Sequence, residues 1–395
     1  MLNKLTLYQY KLFFLVCFTL PMFTRLNNVI LGFFILFSGI IVFKEKKHLQ
    51  KSLLIQFFPV FIFFLLALVA ALYGFKFTFF KYIERYISLL FIPIVFWMFK
   101  DRIQEFKKNA FYGLLLGCIT TLLICYINVF YEIVSFQEPI SYFLRWRHLS
   151  HRFTEIADTH PAYLGLFICT STFFLLFHAN SIAKWLKVVI LIFFFFGMLQ
   201  LTSRVALFMF LCTILIYIFS LFKINFKYGL AILIFISLTS LFFLSKGSSY
   251  YKERVFSSKS ITMDSRFDRL KISIDVFLEN PILGVGFHSV DELRVNKYKQ
   301  HKDYLAAKKK YNAHNQFIDY LAINGIFGGL IYIGVFAYLI VVSIKSKDYT
   351  FIFIIVSFFI ANQTESMLLR IKGIEYFSIF TSLFLINQKK EHTES

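Results

Sequence analysis

Residues 264–286 read DSRFDRLKISIDVFLENPILGVG, and residues 313–329 read AHNQFIDYLAINGIFGG. They bracket the longest polar interval in a chain that is otherwise nearly all apolar, and the fold follows from that contrast. Asp264 or Ser265 suits a helix N-cap, and Pro281 stops a helix begun there. Between them Phe267, Leu270, Ile274, Phe277 and Leu278 predict one apolar stripe. Pro281 to Gly286 predicts a tight turn in which glycine permits a positive φ or a close backbone approach. The interval ends where Gly325, Gly328 and Gly329 lead into the next apolar run.

Outward from this interval the chain changes character. It has 395 residues, 58% of them hydrophobic and 16% charged, against roughly half and a quarter in a soluble domain. A membrane helix needs about 20 mostly apolar residues. Such runs number about twelve, near 7–23, 27–44, 53–74, 82–99, 110–133, 160–178, 184–201, 203–222, 228–245, 326–344, 348–362 and 374–387. An all-α polytopic membrane protein is therefore expected. The first run lacks a small-residue cleavage site and reads as a retained span.

With the N-terminus in the cytoplasm, every loop after an even-numbered span is basic. Lys44, Lys46, Lys47 and Lys51 follow the second, Lys100, Arg102, Lys107 and Lys108 the fourth, and Lys389 and Lys390 the last. That pattern obeys the positive-inside rule and places both termini in the cytoplasm. The expected organisation is nine spans over 1–245 with a smaller outer loop at 134–159, a large outer loop at 246–325, and three spans with a short cytoplasmic tail over 326–395. The net charge of +20 then reads as topology signal plus an anionic partner. It does not read as nucleic-acid binding, because most basic residues flank apolar spans.

Within the large loop, Arg266 and Arg269 sit three apart and are neighbours on a helix surface. Two guanidinium forks suit a diphosphate; they equally suit bridging to Asp268, Glu253 or lipid headgroups. His314, with Asn315, directly precedes an amphipathic run. It is placed either to act as a general base on a hydroxyl or to cap a helix at the interface. Arg204 lies in LQLTSRVALFMF (199–210) between two long apolar runs. An arginine at the centre of a span costs roughly 2.5–3.5 kcal/mol by insertion scales, which makes it a functional candidate. Arg85 beside Glu84 is a weaker one. In the smaller outer loop Arg145, Arg147, Arg152, His148, His151 and the pair His160-Pro161 again concentrate positive charge. The sequence has no Asp-x-Asp pair, no H-E-x-x-H and no G-x-S-x-G. No metal and no cofactor is expected. The five cysteines lie in apolar segments and read as small buried hydrophobes.

The series Ser203-Arg204, then Arg266 and a helix ending in Asn280-Pro281-x-x-Gly284-x-Gly286, then His314-Asn315 and Gly325/Gly328, resembles the O-antigen ligase and O-antigen polymerase superfamily over about 190–330. The resemblance implies an integral-membrane glycosyltransferase of the GT-C type in the bacterial inner membrane, with its active site on the periplasmic face. Such an enzyme takes a glycan from undecaprenyl diphosphate. The ligase passes it to lipid A–core in lipopolysaccharide biosynthesis; the polymerase passes it to another lipid-linked repeat unit. The ligase is the expected activity and the polymerase its alternative; a lipid-linked sugar transporter and a non-catalytic scaffold are the readings from other classes. In the resemblance Arg204, Arg266 and His314 are the catalytic residues. Arg269, Arg85, Asn315, His160 and Arg152 are expected at the substrate, and the transfer is expected to be metal-independent and inverting. One departure is Leu270, which stands where many members of the superfamily have tryptophan.

Overall fold

The structure, a computed structural model, describes residues 2–47, 52–73, 79–222 and 265–386. No strand occurs among them. In chain order the main helices are α1 (Leu2–Thr19), α2 (Thr24–Lys44), α3 (Ser52–Leu72), α4 (Ile87–Met98), α5 (Ile103–Ser135), α6 (Pro161–Phe177), α7 (Lys184–Leu201), α8 (Arg204–Phe222), α9 (Ser265–Glu279), α10 (Gly286–Gln300), α11 (Tyr304–Lys309), α12 (Gln316–Lys345), α13 (Tyr349–Ala361) and α14 (Ile371–Leu385).

Six helices among the described residues are long and apolar enough to cross a membrane, or seven if a bent pair counts as one span. That pair joins His151–Ala157 to α6 at an angle of 76°. The count is lower than the expected twelve for a physical reason. The run near 7–23 forms α1, whose N-terminal part carries Asn3, Lys4, Gln9 and Lys11 and which is not among the six. The runs near 82–99, 348–362 and 374–387 are helical but short, α4 having 12 residues after a 3-10 turn at Glu84–Tyr86, α13 having 13 and α14 having 15. The run expected at 228–245, like the first part of the large loop, lies outside the described residues.

The chain divides into two compact units, each discontinuous in sequence. The first comprises Met1–Gln9, Gly32–Lys107 and Asp264–Ser395; the second comprises Tyr10–Leu31 and Lys108–Met263. In the second unit α6 packs on α8. Gly165 permits this, since a Cβ there would come within 2.5 Å of the Ala206 Cβ. Small residues at a crossing let two backbones approach closely, as in membrane helix pairs generally. Four of the five cysteines are buried, Cys212 is half-buried, and all are free thiols.

In the first unit α12 is the organising helix. It packs on α3, α9 and α13, and Asn324 reaches across to donate to the Leu66 carbonyl at 3.0 Å. It is broken at Gly325, where φ is 67° and ψ is −163°, a conformation open in practice only to glycine. In an unbroken helix Ile326 N–H would bond to Ala322 C=O. Here Ile326 N–H bonds instead to the Pro281 carbonyl at 2.8 Å, and the Ala322 carbonyl accepts from Val285 N–H at 3.0 Å. The Pro281–Gly286 turn thus pairs the Ile326 amide and the Ala322 carbonyl that the break sets free, as a buried break requires. Gly284 and Gly325 meet at this seam. A Cβ on Gly325 would lie 2.2 Å from the Ile282 carbonyl oxygen and 2.7 Å from Gly284 N. Gly325→Ala is therefore expected to destabilise the first unit by about 1–3 kcal/mol from backbone strain alone, with the clash adding to it. Thermal melting of the detergent-solubilised chain checks this.

The apolar stripe of α9 is not the face that packs. Phe267, Ile274 and Leu278 are exposed, while Ile272, Ser273 and Val276 are buried. Ile272 packs with Tyr298 of α10 and with Ala306 and Ala307 of α11. The buried face therefore follows the helices of the loop itself. Apolar residues count toward a core only where the opposite face meets water, and that assumption does not carry over to a chain this apolar.

Candidate functional site

The site is built where the C-terminal end of the loop meets α12. Asn315 has extended backbone and N-caps α12, accepting from Ile318 N–H at 3.1 Å. Its Nδ2 donates to the Gln363 carbonyl at 3.3 Å. Removing such a cap costs about 1 kcal/mol, so Asn315→Ala is expected to lower the melting temperature modestly. Asn315 is thereby given a cap's role, and the ring beside it is left free for another task.

Just below the cap, the buried carboxylate of Asp319 collects three donors: the Arg294 guanidinium, the Ser366 hydroxyl and the backbone N–H of Ala313 at 3.3 Å. Asp319 is fully buried and Arg294 is 2% exposed. A buried carboxylate is tolerated when ionic and hydrogen-bonding partners saturate it in this way. The knot fixes Ala313, and with it the neighbouring residue His314. Tyr298 braces the same loop, donating its hydroxyl to the Tyr311 carbonyl at 3.2 Å. Burial pushes the Tyr298 phenol up to about 12, despite the opposing Arg294 and Arg269 charges, so it remains a donor at neutral pH.

His314 has φ of 52°, the left-handed region, and its backbone N–H is held by the Asn312 side chain at 3.2 Å. Histidine visits that region more often than most residues, but it is an uncommon conformation and worth notice at a candidate site. Its ring lies between two charged groups. Nδ1 is 2.9 Å from Oε2 of Glu365, and Nε2 is 3.1 Å from Nη1 of Arg269. The Arg269 guanidinium also covers the Tyr311 ring, 3.9 Å from its centroid. A guanidinium can only donate, so Nε2 accepts and Nδ1–H donates to Glu365. Glu365 is 5% exposed and His314 is 14% exposed. The result is a carboxylate–imidazole pair of the sort that orients a general base, with a guanidinium at its outer end.

The first unit therefore brings together Arg269, His314 and Glu365. Arg266, one turn before Arg269, is exposed. Arg85 lies in the same unit, in the turn before α4, with its guanidinium 5.6 Å from the Tyr82 ring. Arg204, Arg152 and His160 belong to the second unit. Arg204 is the first residue of α8, after Thr202 in the left-handed conformation. It opens a helix long and apolar enough to cross a membrane, Arg204–Leu221, and so stands at the end of that helix and not at its centre. His160 caps α6, its Nδ1 accepting from Ala162 N–H at 3.1 Å, with Pro161 in the first turn. Its ring stacks edge-on with His151 at 4.2 Å, and Arg152 covers the Trp146 ring at 4.1 Å. No group of three or more His, Cys, Asp or Glu side chains that could hold a metal ion occurs among the described residues.

Glu365 lies between the apolar runs 348–362 and 374–387, and the sequence marks it only as an acidic residue there, too little to predict its partner.

Fold and site together define a multi-pass helical membrane protein with a histidine held between a carboxylate and an arginine. The sequence profile of the family described as O-antigen ligase matches residues 164–333. The resemblance read from the motifs holds over that stretch, which includes Arg204, Arg266, Arg269 and His314. A search of curated proteins found no match.

Proposed function

We propose that this chain is an inner-membrane glycosyltransferase that moves a glycan from undecaprenyl diphosphate onto lipid A–core at the periplasmic face. The observation that carries this reading is the row Glu365–His314–Arg269, of which His314 and Arg269 lie in the stretch similar to the O-antigen ligase family. In the mechanism, Glu365 orients His314 through Nδ1–H, and Nε2 takes the proton from the acceptor hydroxyl. The hydroxyl oxygen bonds to the anomeric carbon from the face opposite the leaving group and inverts it. The carbon–oxygen bond to phosphate breaks, and its electron pair leaves on the diphosphate. Arg269 and Arg266, with Arg204 and Arg85, are the cations assigned to that growing charge. The sugar bond to diphosphate is already activated, so the proposed reaction needs neither nucleotide nor metal.

The same reading keeps about twelve spans, the three-part organisation of 1–245, 246–325 and 326–395, a GT-C-type architecture, cytoplasmic termini and a place for His160 and Arg152 near the glycan. Joining lipid-linked repeat units is the alternative outcome, and the glycan profile of a null strain separates the two. Loss of a ligase leaves long chains on the carrier; loss of a polymerase leaves single repeats on core. Unchanged glycan in the null strain would overturn both. Glu365→Gln keeps the hydrogen bond but removes the charge behind His314. It is expected to slow transfer about 10–100-fold, a fraction of the 10²–10⁴ that positioned proton transfer supplies, with the protein still in the membrane. A transfer assay on purified protein measures it.

A further inference from the structure

The contact between Arg269 and His314 poses a chemical problem for a base. With Nδ1–H committed to Glu365, the neutral ring has one lone pair, on Nε2, and Arg269 Nη1 occupies it at 3.1 Å. In that arrangement His314 cannot accept a proton from any hydroxyl. Arg269 also has a second resting contact, the Tyr311 face at 3.9 Å, so the guanidinium can leave the histidine without losing every partner.

We propose that Arg269 masks the base until the donor is seated. The argument rests on the reading of His314 as the base, and the masking itself is open to a test that needs no transfer. A neutral imidazole nitrogen is a weaker acceptor for a guanidinium than a diphosphate, whose anionic oxygens take a bidentate, charge-assisted pair of hydrogen bonds. The donor's diphosphate therefore draws Nη1 off Nε2. Nε2 then faces the acceptor hydroxyl. The O–H proton goes to Nε2, the oxygen–anomeric-carbon bond forms, and the carbon–oxygen bond to phosphate breaks with its electrons on the diphosphate that Arg269 now holds. One side chain thereby links donor occupancy to the availability of the base, and an acceptor arriving first meets an inactive histidine.

Diethyl pyrocarbonate, which acylates unprotonated, accessible imidazole nitrogen, reads the mask directly. The full-length protein in detergent is treated with the reagent, and the peptide containing His314 is quantified by mass spectrometry. The exposed His301 in the same unit serves as the internal reference. In the free protein His314 is expected to react slowly. Inorganic pyrophosphate, and separately a glycan-free polyprenyl diphosphate, are expected to accelerate it about tenfold, the value of one charged-donor hydrogen bond. His301 should be unchanged. Arg269→Met is expected to react at the fast rate with or without pyrophosphate. Pyrophosphate that leaves His314 unchanged or slows it, or a slow Arg269→Met, overturns the proposal; the wild-type arm decides it even if the variant does not fold. Normal transfer by His314→Ala would instead remove the base reading while leaving the masking result intact.

Discussion

Glycan transfer is expected to fall by about 10²–10⁴-fold when His314 is replaced by alanine. The chain should still insert and accumulate normally. The ring makes two polar side-chain contacts, to Arg269 and Glu365, and the loop holding it is fixed independently through Ala313 and Asp319. Alanine at 314 also removes a bulky side chain from a left-handed residue, so the fold loses little. The measurement is the lipopolysaccharide profile of a null strain carrying the variant, paired with an immunoblot of the membrane fraction. A wild-type profile at wild-type protein level would take His314 out of the mechanism. Arg204→Ala is expected to abolish transfer by a different route, through the leaving group's charge, and the same profile tests it.

Asp319→Ala is expected to destabilise the first unit by roughly 3–5 kcal/mol, because it leaves the buried Arg294 guanidinium without its carboxylate. The carboxylate also holds the Ser366 hydroxyl and Ala313 N–H, so the variant loosens both segments that flank the His314–Glu365 pair. Activity should fall together with the melting temperature. The double replacement Arg294→Met with Asp319→Leu is expected to recover much of the stability, since a well-packed apolar pair often matches a buried ion pair. It should not recover the activity, which depends on the anchored loop. Thermal unfolding in detergent of the two variants beside the wild type decides the matter. An Asp319→Ala protein as stable as wild type would show that the knot does not hold the loop.

Several parts of this architecture were legible in the residues. The helix that stops before Pro281, the turn through Gly284 and Gly286, the start of α12 after His314-Asn315 and the buried cysteines all follow from local rules, and local rules are what a single sequence expresses. What it could not express was partnership over distance. Glu365 meets His314 from 51 positions further along the chain, and nothing periodic marks it. The Arg266–Arg269 spacing predicted two neighbouring cations but not which of them turns inward; the turn of α9 that buries Ile272 and Val276 also half-buries Arg269 and leaves Arg266 outside. Nor did the stripe of Phe267, Ile274 and Leu278 show which face packs, since hydrophobicity alone does not separate a face packed on protein from one left apolar and exposed. The division between the runs 184–201 and 203–222, just before Arg204, was legible in the residues; the left-handed Thr202 that makes it carries no strong sequence signal.

The crossed bonds at Gly325 tie the loop and the long helix to each other. Straightening α12 would return the Ile326 amide to Ala322 and evict Val285 in the same movement, so neither change can happen alone. The amide protons of Val285 and Ile326 should accordingly exchange with deuterium as a pair, at one common rate, although forty residues of chain lie between them.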